Sequence, residues 1–380
     1  MRLRDVFSEK WWRSLPETVD TWNMHMSDMY PLAVLLGTSD PDHPHPLPPL
    51  TRDSAFSVGD ALCMARLSAA VYESNTEKLR VALLSLGFRH IAFYDRHDVA
   101  CFMCKQGDVV VGCFRGSQVC TADPEMFSSR NWATDLCMEL GDGGEIGTVH
   151  RGFNRALDEV YDRVHEYITT NVTTGCTLYL TGHSMGGALA TLTLARITDK
   201  SSRVVNPDNC ILYTIGCPRC GGEDFATRLS NNVTGLHRLQ YVNDVFCRTP
   251  MESQGYCHVP ADGTVTYLDE TGMHSQVPRG LFADTMVTST LFDFVRWTWT
   301  LDDWILFSAT LNVTLKSHRF NSYVTALQQV WDKGESERMA ERGDRDAVVG
   351  SREGETIPAQ EHEEGAGVGI GGLEENTAEE

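Results

Sequence analysis

The chain lacks the features that would place it in several large functional classes. It has no clustered Lys/Arg segment, and with 52 acidic against 32 basic residues its formal charge is −20. Phosphate binding needs a basic face, so nucleic acid is not an expected partner. It also lacks a long uninterrupted apolar run. The longest stretch of that kind, 291–315, is broken by Asp293, Arg296, Asp302 and Asp303, which a bilayer core would disfavour. The first fifteen residues, MRLRDVFSEKWWRSL, carry charges where a secretory leader needs an apolar core. The expectation is therefore a cytoplasmic or peripherally membrane-associated protein without a spanning helix. No EF-hand loop and no repeat at a solenoid period occur. Twelve cysteines are present. The pairs Cys101/Cys104 and Cys217/Cys220 are more than 100 residues apart, which is not the spacing of a zinc module, so neither metal nor cofactor is expected. Without a secretory leader the cysteines read as buried reduced thiols. Three Asn-Val-Thr triplets, at Asn171, Asn232 and Asn312, would matter only in a secretory lumen.

What is present divides the chain into three parts. Residues 1–50 form an N-terminal extension containing Trp11, Trp12 and Trp22, which ends in a linker with five prolines among residues 40–50. Residues 51–332 make one α/β domain, supplied by a chain that is 42% hydrophobic. Residues 333–380 lose apolar periodicity and read as a disordered acidic tail; from Asp332 onward 15 acids face 5 bases, half of the net charge. Within the middle part strand and helix signals alternate. Residues 109–114 (VVVGCF) read as a strand buried on both faces, and Phe153, Leu157, Val160, Tyr161, Val164 and Ile168 recur as the apolar stripe of one helix. A strand at 177–180, a buried helix at 187–197 and strands at 210–215, 238–242 and 264–268 follow. That order predicts a mostly parallel sheet with helices on both faces.

Residues 182–186, Gly-His-Ser-Met-Gly, match G-x-S-x-G between a strand and a small-residue helix. A sharp strand-to-helix turn needs glycines where backbones approach closely, and the helix N-terminus offers free N–H groups to developing negative charge. Ser184 is therefore the candidate nucleophile. A serine hydroxyl needs a histidine to take its proton and a carboxylate to orient that histidine. Asp244, at the end of a later strand, is the first choice for the acid, with an Asx-turn as the alternative reading. For the base, His318 precedes a helix start in a loop and is preferred. His258 reads as a packing residue, His274 lies in a turn, His362 lies in the tail, and His183 points away from the serine hydroxyl as its immediate neighbour.

Together these segments resemble the class 3 lipases, the family of fungal triacylglycerol lipases and their relatives, from about Asp60 to Leu327. Residues 113–117 (CFRGS) are similar to the family's F-R-G-[ST] turn, and Asn131-Trp132 with Asp135-Leu136 to N-W-x-x-D-L. Val149–Phe153 resembles V-H-x-G-F, and Cys217-Pro218-Arg219 followed by Gly221 the G-x-P-R-x-G segment. His318 and Tyr323 resemble a lengthened H-x-x-Y. The resemblance implies an α/β-hydrolase fold and a lipid ester substrate met at a membrane or lipid-droplet surface. It also implies a Ser184-Asp244-His318 triad, with Ser117 and the Met185 N–H as oxyanion donors. Two features depart from the family. The segment at Asp244 lacks two spacer residues and a proline of V-N-x-x-D-x-V-P, and the 117–131 loop is long, which reads either as a lid with Val119, Met126 and Phe127 as its apolar face or as a surface loop with ordinary packing. The aromatic run containing Phe292, Val295, Trp297, Trp299, Trp304 and Phe307 suits either core packing or a lipid-facing surface. A silent lipase-like binding module is the competing functional reading.

Overall fold

A computed structural model describes residues 32, 36, 47–97, 99–117, 139–201, 203–244, 246–260, 264–275 and 318–352. Several sequence expectations therefore lie outside the described residues: the tryptophans of the N-terminal extension, most of the proline-rich linker, the 118–131 lid, the N-W-x-x-D-L motif, the aromatic run, Asn312 and the tail beyond Arg352.

The chain builds α1 (Val58–Ala70), whose N-terminal N–H groups are capped by the Ser57 hydroxyl, and α2 (Thr76–Ser85), capped by the Asn75 side chain. A meander of β1 (Arg89–Arg96), β2 (Val99–Gln106) and β3 (Val109–Phe114) follows. Short strands β4 (Leu140–Asp142) and β5 (Thr148–His150) lead into α3 (Arg151–Asp158) and α4 (Tyr161–Asn171). The central units are β6 (Thr177–His183), α5 (Met185–Thr198) and β7 (Cys210–Ile215). After β8 (Gly221–Gly222) come α6 (Glu223–Asn232) and β9 (Gly235–Tyr241), then β10 (Tyr256–Cys257), β11 (Thr266–Asp269) and β12 (Gly272–His274). The last described element is α7 (Phe320–Arg352).

Among the described residues the main sheet has the order β1-β2-β3-β6-β7-β9-β11-β12. Its middle, β3 through β11, is parallel, and antiparallel pairs close both edges. This is the α/β-hydrolase fold. The alternation of side chains along β6 explains the layering: Leu178 and Leu180 face one core with α3, α4 and α5, while Tyr179 faces another with α1 and α7. Burial on both faces is why β3, β6 and β7 are continuously apolar. A second, small antiparallel sheet, β10-β8-β5-β4, covers one flank.

The structure differs from the sequence expectation at two places. The single helix expected around 153–168 is two, because α3 tightens at its end into i→i−3 bonds from Glu159 and Val160, and Val160 leaves the helical region at φ −124°. Each half keeps its own apolar stripe. The tail expected to be disordered from residue 333 starts as helix, since α7 continues to Arg352. Between 333 and 352 the sequence has no proline and carries four Arg and three Glu, good helix formers, and Arg338 pairs with Glu335 one turn before it. The chain divides into two units, Met1–Asp332 and Lys333–Glu380.

Ten cysteines lie within the described residues and all carry free thiols. Burial pushes the Cys63, Cys210 and Cys220 thiols up to about 12, so they remain protonated and pack as small apolar groups. No described helix is long and apolar enough to cross a membrane.

The register sets β3, β6 and β7 level at their C-terminal ends, with Phe114 opposite Gly182 and His183 opposite Ile215. The turn after β6 is therefore packed directly against the turn after β3. A Cβ on Gly186 would run into the Phe114 carbonyl, and one on Gly182 into the backbone of Gly186. Neither neighbour is a side chain able to move aside. Gly186→Ala is expected to destabilise the fold by about 3 kcal/mol or more, read as a lowered urea midpoint. An unchanged midpoint would mean that the two turns are not in contact.

Candidate active site

Ser184 sits between β6 and α5 with φ 57° and ψ −130°, a conformation that a side-chain-bearing residue rarely adopts. Its N–H donates to the Ile215 carbonyl at 2.9 Å, and its own carbonyl accepts from Gly187 at 2.9 Å. The turn is thus fastened to β7 on one side and to its own helix on the other, and the hydroxyl is lifted off the end of the sheet. Met185 is the first residue of α5, so its N–H has no acceptor within the helix.

His318 reaches the serine from just before α7. Its Nε2 lies 2.9 Å from Ser184 Oγ and its Nδ1 lies 2.8 Å from Asp244 Oδ2. A carboxylate only accepts, so the proton sits on Nδ1 and the Nε2 lone pair faces the hydroxyl. The Phe246 ring lies against the imidazole with centroids 4.2 Å apart. Asp244 is fully buried, three residues beyond the end of β9. Its Oδ1 accepts from the Phe246 N–H at 3.0 Å, which closes an Asx-turn, and its Oδ2 accepts from both His318 and the Tyr323 hydroxyl, the latter at 2.6 Å. The two sequence readings of Asp244 are therefore compatible, one for each carboxylate oxygen. Burial alone would raise this carboxyl's pKa. Electrostatic interaction with the His318 ring and its hydrogen bond, together with the Tyr323 hydroxyl, outweigh it and hold Asp244 below its ordinary value.

Tyr323 lies five residues after His318 on α7 and is wholly buried. Besides donating to Asp244 it accepts from the Tyr241 N–H at 2.9 Å. Gly216, at φ 61°, leaves room for both partners, since a Cβ there would come within 3.0 Å of Asp244 Oδ2 and 3.1 Å of the Tyr323 hydroxyl. The lengthened histidine motif thus still delivers a tyrosine to Asp244.

Ser117 follows the turn after β3. Gly116 in that turn touches the elbow so closely that a Cβ would meet the Tyr72 hydroxyl, the His183 carbonyl and, at 3.1 Å, Ser184 Cβ. The Ser117 hydroxyl points to Met185 Sδ at 3.7 Å, so both residues expected to stabilise an oxyanion lie together beside the serine. Two of the other candidate histidines are engaged elsewhere. His258 donates from Nε2 to the Cys247 carbonyl at 2.6 Å beneath the loop that carries Asp244, and burial with two nearby arginines holds it neutral. His274 pairs with Asp269 on the edge hairpin. His362 lies outside the described residues.

Two contacts had no signal in the sequence. Phe246 against His318 comes from the loop after Asp244, and Tyr72, at the end of α1, hydrogen-bonds His183 Nδ1 at 3.0 Å. An imidazole held by aspartate and facing a strained serine can take the hydroxyl proton, and donors beside that serine can meet negative charge on a bound carbonyl oxygen.

Comparison with known proteins agrees with the motifs. The class 3 lipase family model matches residues 112–254, the span from β3 through the serine turn to the loop after Asp244. A lipase of Rhizopus niveus is 27% identical over 135 residues, 34% of this chain and 34% of the relative. A secreted mono- and diacylglycerol lipase 1 of Fusarium solani is 31% identical over 137 residues, 34% of this chain and 38% of the relative. The chain thus spans about a third of the length of the curated relatives it matches. Among solved structures, the Rhizomucor miehei triacylglyceride lipase covers 66% of this chain and 94% of its own, at 20% identity and a TM-score of 0.48. The resemblance read from the motifs is borne out over the matched span.

The buried imidazoles give the domain a pH dependence. Burial lowers the His150 pKa to about 4, and burial together with the adjoining His318 ring lowers that of His183 to about 3. Unfolded, both would protonate near 6.5. Between those limits the unfolded chain holds more protons, so stability is fully present above about pH 7 and falls on acidification, by about 1.4 kcal/mol per pH unit for each group. Urea midpoints at pH 7.5, 6.0 and 5.0 should fall in that order; a flat profile would show that these rings are not held neutral.

Proposed function

We propose that this chain is a serine hydrolase of lipid carboxylic esters, acylglycerols or phospholipids, acting through an acyl-enzyme formed on Ser184. The observation that carries the reading is the continuous hydrogen-bonded path from Ser184 Oγ through His318 to the buried Asp244. Its setting at the C-terminal end of a parallel sheet supports it, because that is where such folds place their ligands. The matched lipase relatives support the ester class.

In this reading Ser184 Oγ attacks the ester carbonyl carbon as His318 Nε2 takes the hydroxyl proton. The resulting imidazolium is stabilised by Asp244 through the Nδ1–H bond. Negative charge moves to the carbonyl oxygen, where the Met185 N–H and Ser117 would receive it. Collapse breaks the bond to the leaving alkoxide, which takes the proton from His318 Nε2, and leaves an ester of Ser184. Water then repeats the sequence, giving its proton to His318 and releasing the carboxylic acid and free serine. Peripheral contact with a lipid surface belongs to the same proposal, since long-chain acylglycerols present their ester groups at such a surface.

Tyr323 enters as the second donor to the acid. It holds Asp244 Oδ2 against a helix rather than a loop, so the carboxylate cannot rotate away when His318 becomes charged. Hydrolysis of p-nitrophenyl esters of graded acyl length, with and without micelles, tests the reading. Ser184→Ala, Asp244→Asn and His318→Ala should each lower kcat by about 10³-fold or more, with smaller effects on KM. A rise in rate at the micelle surface with long chains identifies a lipase, and a preference for short soluble esters an esterase. Absence of hydrolysis by the wild type on every ester would favour the binding-module alternative.

A further inference from the structure

His183 precedes the nucleophile and has no part in the proton path described above, yet its ring is buried at the centre of the site, 3% exposed. Its Nε2 lies 2.7 Å from the backbone carbonyl oxygen of His318, and its Nδ1 lies 3.0 Å from the Tyr72 hydroxyl. The carbonyl can only accept, so the proton is on Nε2, and Nδ1 is left to accept from Tyr72. Both hydrogen bonds are satisfied by one neutral tautomer. The rings of Tyr72, His318 and Tyr323 surround it, with centroids 6.1, 4.8 and 6.2 Å away. The low pKa of a ring so buried, and so close to His318, keeps it neutral throughout the range in which an ester hydrolase works.

We infer that His183 is a positioning residue for the base: its Nε2–H grips the main chain of His318 and, through that grip, sets the distance between His318 Nε2 and Ser184 Oγ. The inference deepens the proposed function and rests on it. The reasoning is geometric. The Asp244 and Ser184 contacts fix the two ends of the imidazole, but neither fixes the Cα from which the ring hangs. The His183 bond does, and His183 is joined by a peptide bond to the nucleophile itself. Strand β6 therefore ends in the clamp and leads straight into Ser184, so a displacement of the elbow carries the base along with it. Tyr72 holds the far side of the clamp, which prevents the His183 ring from turning its other nitrogen toward the carbonyl. A histidine suits the position because it spans donor and acceptor across a rigid ring, whereas an aliphatic residue of the same size would fill the space without gripping anything.

The test uses the full chain and separates this role from packing. His183→Ala removes the donor, His183→Gln retains an amide N–H at about the reach of Nε2, and His183→Asn has the same amide on a side chain too short to reach. The density of active sites in each preparation is first measured by titration with a fluorophosphonate, and rates are expressed per titrated site. Misplacement of the base by about 1 Å costs on the order of 100-fold, so kcat should fall about 30- to 100-fold in the Ala and Asn variants. It should recover to within about 5-fold of wild type in Gln, with KM changing by less than about 2-fold in all three. Should the Ala variant not be recovered folded, the Gln and Asn pair carries the comparison, being alike in polarity and different in reach. Equal losses in Gln and Asn would overturn the inference, as would kcat per titrated site within about 2-fold of wild type in Asn. Failure of the proposed function looks different: wild type itself would neither titrate nor hydrolyse.

Discussion

The close approach of two backbone turns, one after β3 and one after β6, is the constraint on which the rest of the site depends. Gly186 and Gly116 allow these segments to touch, Gly182 lets the elbow fold back against Gly186, and in that arrangement Ser184 stands at φ 57° with its hydroxyl off the sheet. Such a conformation costs about 1–3 kcal/mol and persists because both flanking elements are buried and hydrogen-bonded. Parallel strands packed on both faces supply that rigidity. The register that aligns Phe114 with Gly182 also brings the Ser117 hydroxyl beside the Met185 side chain, so one constraint places Ser184, Met185 and Ser117 together.

The other half of the site is assembled from parts distant in sequence. Asp244 comes from the turn after β9, and His318 and Tyr323 from the start of α7. Asp244 is locked from three directions, by its own loop through Phe246, by His318 and by Tyr323. A buried carboxylate without such donors would be protonated by desolvation and useless for holding an imidazolium. Here the donors outweigh burial, and the carboxylate stays ionised. Helix α7 is anchored in turn through Tyr323, Ala326 and Leu327, which are buried in the same apolar layer as α1. The positions of Asp244 and His318 therefore depend on the hydrophobic packing of that face as much as on their own hydrogen bonds.

Much of this was legible in the sequence, and the reasons for the remainder are physical. The continuous apolar strands and the glycine-flanked serine are local signals, so the parallel centre of the sheet and the elbow could be read directly. Ser184, His318 and Asp244, chosen from motif and order, lie within hydrogen-bonding distance of one another despite the shortened segment around the acid. The antiparallel edge was not read: β1 is polar at both ends and half-exposed, and β2 contains the cysteine pair that resembles a metal motif. Helix α1 has no amphipathic stripe because nearly every residue in it is buried. The strands of the small sheet have two or three residues each, too few for any period to show. Tyr72, Phe246 and the engagement of His183 arise from tertiary contact alone, which no spacing in a single sequence encodes.

The central claim is that the elbow, acid and base together make Ser184 a nucleophile, and covalent labelling tests it most directly. The intact chain is incubated with a fluorophosphonate at neutral pH, its mass is measured, and the modified peptide is located. The account predicts one adduct per chain, on Ser184, formed far more slowly when His318 or Asp244 is replaced. A chain that stays unmodified while folded, or that is labelled equally fast without His318, would contradict it.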